Sequence, residues 1–171
     1  MPKDVITAGL RLLQEILRTA TRRPARRAGF VPDIAGPDTY PGDYTGTPNL
    51  TYSPVDDDLP DPGEVVWTWV PYEEDHSQGK DRPVLIIGRD AGWLLGLQVT
   101  SQDHDRDAAQ EASVGRYWMD IGTGGWDRQG RPSEVRLNRI IRIDPSGVRR
   151  IGARLPRDRY AEVARGVLAH Y

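Results

Sequence analysis

Apolar positions change period along the chain, and the change marks its organisation. Between residues 5 and 20, Ile6, Leu10, Leu13 and Leu17 recur at i, i+4, i+7 and i+11. Leu12 and Ile16 widen this stripe, while Arg11, Glu15 and Arg18 stay outside it, as in an amphipathic helix. Pro24 closes the helix. From Pro24 to Pro62 no period is sustained, and Pro, Gly, Asp, Tyr and Thr dominate. That composition buries too little surface to offset ordering entropy, which predicts an extended, largely disordered linker. Three segments follow: a helix over 1–23, a linker over 24–62 and a folded domain over 63–171.

Within the domain the period falls to two. Val65, Trp67 and Trp69 face one way, and Val66, Thr68 and Val70 the other, predicting a first strand over 64–70. Val84 to Ile87 form a short β-branched run behind Pro83, whose missing N–H suits the first position of a strand. "WLLGLQVT" (93–100) follows, with Gly96 suggesting a bulge or a close backbone approach. "RYWMDI", "SEVRL", "RIIRI" and "GVRRIGA" supply further strand candidates. The chain ends in a helix: Pro156 fits its first turn, and Tyr160, Val163, Ala164, Val167 and Leu168 make its apolar face. Many short strands with one terminal helix predict a mainly β (α+β) fold, a small, strongly bent antiparallel sheet or barrel packed on the helix.

Charge sharpens the division. Residues 1–29 carry seven basic groups against Asp4 and Glu15. Residues 30–62 carry seven aspartates and no lysine or arginine, and residues 63–171 carry sixteen charges of each sign. The formal net charge of −2 therefore hides a basic arm, an acidic segment and a balanced domain. The basic helix is suited to docking on its own domain, to self-association, to a partner or to a membrane surface. With no cysteine there are no disulfides or thiolate metal sites. No apolar run reaches bilayer length and no secretory signal is visible, so the expected location is cytoplasmic.

The order of motifs then becomes informative. "GEVVW" (63–67), "QGKDRPVLII" (78–87), a strand ending in "VTSQ" (99–102), "VRLNRIIRID" (135–144) and the terminal helix resemble the MazF/PemK family of toxin endoribonucleases over about residues 63–168. The resemblance implies an SH3-like barrel, a homodimer and metal-independent cleavage of single-stranded RNA, with no cofactor. It also implies growth inhibition countered by an acidic antitoxin. By that resemblance the catalytic pair is Arg82 and Thr100. Gln78, Gly79, Lys80, Ser101, Gln102, His104 and Arg136 are the surrounding candidates for RNA contact. Two positions depart from the family pattern: Ser77 stands where many members carry glutamate, and Leu137-Asn138 where an acidic-Gln pair is usual.

The chemistry fits these residue types. Cleavage by an adjacent 2′-hydroxyl builds negative charge on phosphorus and needs a proton for the leaving 5′-oxygen. Arginine's planar fork matches two phosphate oxygens and stays ionised, which suits a clamp better than a base. A threonine hydroxyl can donate to a nonbridging oxygen or steer the 2′-hydroxyl. His104 and His76 are candidate bases, against the plainer reading of solvated loop histidines. Trp67 and Trp69 suit core packing or base stacking. "DHDRDAAQEASV" (103–114) lacks the glycine and glutamate of an EF-hand, and "GTGGWD" lacks the Lys-Ser/Thr of a phosphate-binding loop and reads as a turn. The competing function is a non-catalytic RNA- or protein-binding module on the same SH3-like or CcdB-like fold. The acidic 30–62 segment is either a solubilising tether or a partial autoinhibitor.

Overall fold

The computed structural model describes residues 40–102 and 114–171. The expected N-terminal helix and His104 lie outside them. Six strands form one sheet: β1 (Glu64–Pro71), β2 (Gly79–Asp90), β3 (Trp93–Thr100), β4 (Trp118–Gly122), β5 (Ser133–Ile143) and β6 (Arg150–Arg154). A 3-10 turn (Pro145–Gly147) precedes β6, and helix α1 (Arg157–Leu168) ends the fold. The spatial order is β4-β5-β3-β2-β1-β6, with every pairing antiparallel.

The sheet is buried on both faces, which is why its central strands read as continuous apolar runs. Val65, Leu85, Ile87, Leu95, Leu97 and Val99 pack with Tyr160, Val163 and Val167 of α1. Val66, Val84, Ile86, Leu94, Ile141 and Ile143 form a second cluster on the opposite face. The Tyr160 hydroxyl donates to the Ile87 carbonyl at 2.8 Å, pinning the helix to β2. Leu168, expected on the apolar face of the helix, is instead exposed, because the packed stripe ends at Val167.

Register shifts at Val65/Val66, Ile86/Gly88, Leu97/Val99 and Asp120/Gly122 bend the strands. The bending brings the two ends of the sheet together. Trp67 Nε1 of β1 donates to the carbonyl of Trp126, in the β4–β5 loop, at 3.1 Å. A Cβ added at Gly152 of β6 would meet Trp126 Cα at 3.0 Å. The sheet thus curls on itself as a barrel does. Gly96 is a close approach: a Cβ there would lie 2.4 Å from Val84 Cγ1. "SEVRL" and "RIIRI" are one strand, β5. Asn138 between them continues it, accepting from the Tyr117 amide at 3.3 Å.

The disorder expected of the 24–62 segment does not describe residues 40–62. They form an extended strap laid on the sheet. The Tyr44 amide donates to the Ile140 carbonyl at 2.8 Å, and the Thr51 amide to the Ile87 carbonyl at 3.1 Å. The Tyr52 hydroxyl donates to the Leu155 carbonyl at 2.9 Å, while its ring packs on Tyr160. Three of the aspartates that suggested a solvated linker, Asp43, Asp56 and Asp61, are paired with arginines far along the chain. Arg139 Nε donates to Asp43 at 2.7 Å, and Arg89 Nη2 to Asp61 at 3.0 Å. Composition sees neither partner, because each lies on a strand that the strap reaches only after folding.

Candidate active site

The mouth of β2 and the end of β3 open on a cavity of about 580 Å³. β2 and β3 pair Leu85 with Leu97 and Val84 with Gln98, and Arg82 and Thr100 each lie two residues beyond that last pair. Both line the cavity, with Lys80 and Ser101 beside them. On its other side Arg82 pairs with Thr68 of β1, so its backbone is held in the interior of the sheet. A cation so mounted is preorganised: little of the chain has to be ordered when an anion arrives.

Most of the remaining wall comes from the β4–β5 loop and the start of β6. Trp126, Asp127, Arg128, Gln129 and Arg131 contribute from the loop, and Arg149 and Arg150 from the approach to β6. The loop is anchored from inside. Trp126 is 2% exposed, and its Nε1 donates to Ser133 Oγ at 3.1 Å. A Cβ on Gly124 would fall 2.1 Å from the Trp126 ring. Gly124→Ala is therefore expected to displace the loop. It should lower the melting temperature and weaken nucleic-acid binding together, read by thermal unfolding and fluorescence anisotropy; an unchanged Tm would show that the loop accommodates the methyl group.

Six basic side chains line the cavity against two carboxylates. Both carboxylates are engaged. Arg131 Nε donates to Asp127 at 2.7 Å, holding that carboxyl below its usual range together with the Gln129 amide. Asp81 Oδ1 lies 2.9 Å from Arg149 Nη2, an ion contact without hydrogen-bond alignment. Lys80, Arg82, Arg128 and Arg150 have no carboxylate within ion-pair distance among the described residues, and Arg150 lies over the Trp67 ring at 5.1 Å from its centroid. The cavity is thus a cationic recess with one aromatic wall, suited to a phosphate-bearing ligand.

The other candidates have different places. Gln78 does not line the cavity; its side chain donates to Asp75 at 2.7 Å, as does Ser77 Oγ at 2.6 Å. Gly79 opens β2 beneath Trp69, where a Cβ would meet the Val70 carbonyl at 2.4 Å. Gln102 is exposed, and its amide donates to Thr100 Oγ1 at 3.1 Å. Arg136 is not brought to the cavity. Only 5% exposed, it donates through Nη1 and Nη2 to the two carboxylate oxygens of Glu73 at 2.8 and 3.0 Å. That pairing holds the Glu73 carboxyl below its ordinary range. Its stabilising effect is therefore present above the ordinary carboxylate pKa and is lost as pH falls through the lowered one. His76 packs edge-on against Tyr40 at 4.9 Å and does not line the cavity. Of the 30–62 segment considered as an autoinhibitor, residues 40–62 contribute nothing to the cavity wall, and 30–39 lie outside the described residues.

Sequence reading missed the loop and β6 contributions, although basic residues in a Gly-rich connection ("GGWDRQGR") were a visible signal. No curated protein matches the chain. Among solved structures it is similar to MazF (Form-I) of Deinococcus radiodurans, at 24% identity over 66% of this chain and 96% of that one, with a TM-score of 0.47. It is also similar to a chain of the MazE-MazF structure (Form-II) from the same organism, at 24% identity over 66% and 95%, with a TM-score of 0.44. The sequence model of the PemK-like, MazF-like toxins of type II toxin–antitoxin systems matches residues 61–171. That span takes in every strand of the sheet, the helix and the whole wall of the cavity, and the chain belongs to this toxin family.

Proposed function

We propose that the protein is a toxin endoribonuclease that cleaves single-stranded RNA without a metal ion. The observation that carries this is that Arg82 and Thr100 line one recess whose basic side chains outnumber its carboxylates. Arg82 clamps the nonbridging oxygens of the scissile phosphate and offsets the charge that grows on them as the 2′-oxygen attacks. As the 2′-oxygen bonds to phosphorus its proton passes to solvent, the bond from phosphorus to the 5′-oxygen breaks, and that oxygen takes up a proton, leaving a 2′,3′-cyclic phosphate and a 5′-hydroxyl. Thr100 Oγ1 already accepts from the Gln102 amide, so its own proton is available to donate to a phosphate oxygen. Lys80 and Arg128 hold flanking phosphates, making binding salt-dependent.

Family membership supports a cytoplasmic toxin acting as a homodimer and restrained by an antitoxin. An acidic antitoxin segment would compete for the same cations. No helix among the described residues is long and apolar enough to cross a membrane.

The test is cleavage of a mixed-sequence RNA in EDTA by the purified full chain. Discrete fragments ending in cyclic phosphate are expected, and Thr100→Val should slow their appearance by about tenfold to a hundredfold. RNA binding with no cleavage would instead support a non-catalytic binding module.

A further inference from the structure

Phosphate recognition accounts for the basic side chains of the cavity but not for its aromatic wall. Trp67 sits on β1 opposite Pro83, one residue from Arg82 in the register. It is partly exposed and lines the same cavity. Trp69, two residues on and 50% exposed, does not line it. The Trp67 N–H is already used, donating to the Trp126 carbonyl, and Trp126 is in turn tied to Ser133. What Trp67 offers a ligand is therefore the face of a ring whose orientation is fixed from behind. Over that ring lies the Arg150 guanidinium, which has no carboxylate partner among the described residues. At 5.1 Å the guanidinium covers the ring, so another flat, polarisable ring reaches the indole by taking the place the cation now holds.

We propose that this wall is a nucleobase subsite: one base of the bound strand, next to the phosphate held at Arg82, displaces Arg150 from the Trp67 ring and stacks there, with the displaced guanidinium as its second surface. The inference rests on the RNA-cleaving reading for its ligand class and extends it from the backbone to the bases. Stacking accepts any base, and single-stranded nucleic acids are commonly held by aromatic rings and guanidinium planes together. The cavity volume of about 580 Å³ falls within the range that encloses an organic ligand rather than an ion alone.

The test uses the full chain and a probe that cannot be cleaved by 2′-hydroxyl attack. A mixed-sequence single-stranded DNA twelve-mer is compared with a fully abasic twelve-mer of equal charge. Wild type should bind the intact strand about tenfold or more tightly than the abasic one. Trp67→Leu should remove most of that preference, while Trp67→Phe should keep most of it and show less tryptophan quenching on binding than wild type. Arg150→Ala should reduce the preference without touching the fold, which settles the matter if Trp67→Leu proves unstable. Equal affinity of wild type for the two strands, or an undiminished preference in both Trp67→Leu and Arg150→Ala, overturns the subsite. RNA cleavage is followed separately. Cleavage without base preference sinks the subsite and leaves the nuclease reading standing. A base preference lost in these variants, with no cleavage of RNA, does the reverse. Absence of both binding and cleavage ends both.

Discussion

Arg82→Ala is expected to lower the rate of RNA cleavage by about a hundredfold to a thousandfold while leaving the fold in place. The two halves of this expectation have separate grounds. Among the described residues the Arg82 side chain makes no ion pair, so its removal orphans no partner, and its backbone keeps its place opposite Thr68. Stability should therefore change little, within the range usual for surface substitutions. The cation, by contrast, has no substitute at that point of the wall. Arg149 and Arg131 are the wrong replacements because each is already committed to a carboxylate, Asp81 and Asp127. Arg82→Lys is the informative second variant. It keeps the charge but loses the fork that meets two phosphate oxygens at once, so it should recover binding more than turnover. Single-turnover cleavage, salt-dependent binding and thermal unfolding separate these effects. Wild-type turnover by Arg82→Ala would remove Arg82 from the mechanism.

The division of charge explains how a nearly neutral domain presents a cationic recess. The strap aspartates Asp43 and Asp61 take up Arg139 and Arg89, on strands β5 and β2. The recess is assembled on surfaces the strap does not reach, and its basic side chains outnumber the carboxylates there. This partition is invisible in net charge, which sums over both.

Strands and helix were legible because alternation and apolar runs are local signals, and the short motifs that hold Arg82 and Thr100 pointed to two residues that line one cavity. Three things were not. Asn138 reads as a break, yet it prolongs β5 because its side chain takes the Tyr117 amide and donates to the Gly115 carbonyl beyond the last β4 pair. Arg136 reads as a free cation, and its partner Glu73 lies in a loop that only the folded sheet brings near. Trp67 and Arg150 are partners on the paired strands β1 and β6, and Arg128, from the β4–β5 loop, joins them because the sheet curls until its two ends approach. Each of these depends on long-range geometry, and no window of sequence contains both halves of it.

A chain that begins at Gly63, near the start of the family match, is expected to lose most of its stability, while one that begins at Tyr40 should keep it. The strap adds Leu50, Tyr44 and Tyr52 to the edge of the core that also holds Leu97 and Tyr160. Without it, Arg139 is the costly residue. It is 5% exposed, donates to Asp43 through Nε and to the Pro71 carbonyl through Nη2 at 2.9 Å, and would be left as a buried cation with no carboxylate. Orphaning a buried charge typically costs about 3–5 kcal/mol. Lost apolar burial adds on the order of 1.5–3 kcal/mol for each large side chain fully uncovered. Small domains have only about 5–15 kcal/mol in total, so the two losses together approach the whole. Asp43→Ala in the full chain isolates the first: its urea midpoint should fall by an amount equivalent to about 3–5 kcal/mol at an unchanged slope. Asp43→Ala combined with Arg139→Met should recover part of that loss, because it removes the orphaned charge along with its partner. Equal unfolding midpoints for the chains starting at Tyr40 and Gly63 would reduce the strap to an ornament. A large difference would make it part of the folding unit, and through the Pro71 carbonyl at the end of β1 it would bear on the loop that delivers Lys80 and Arg82 to the cavity.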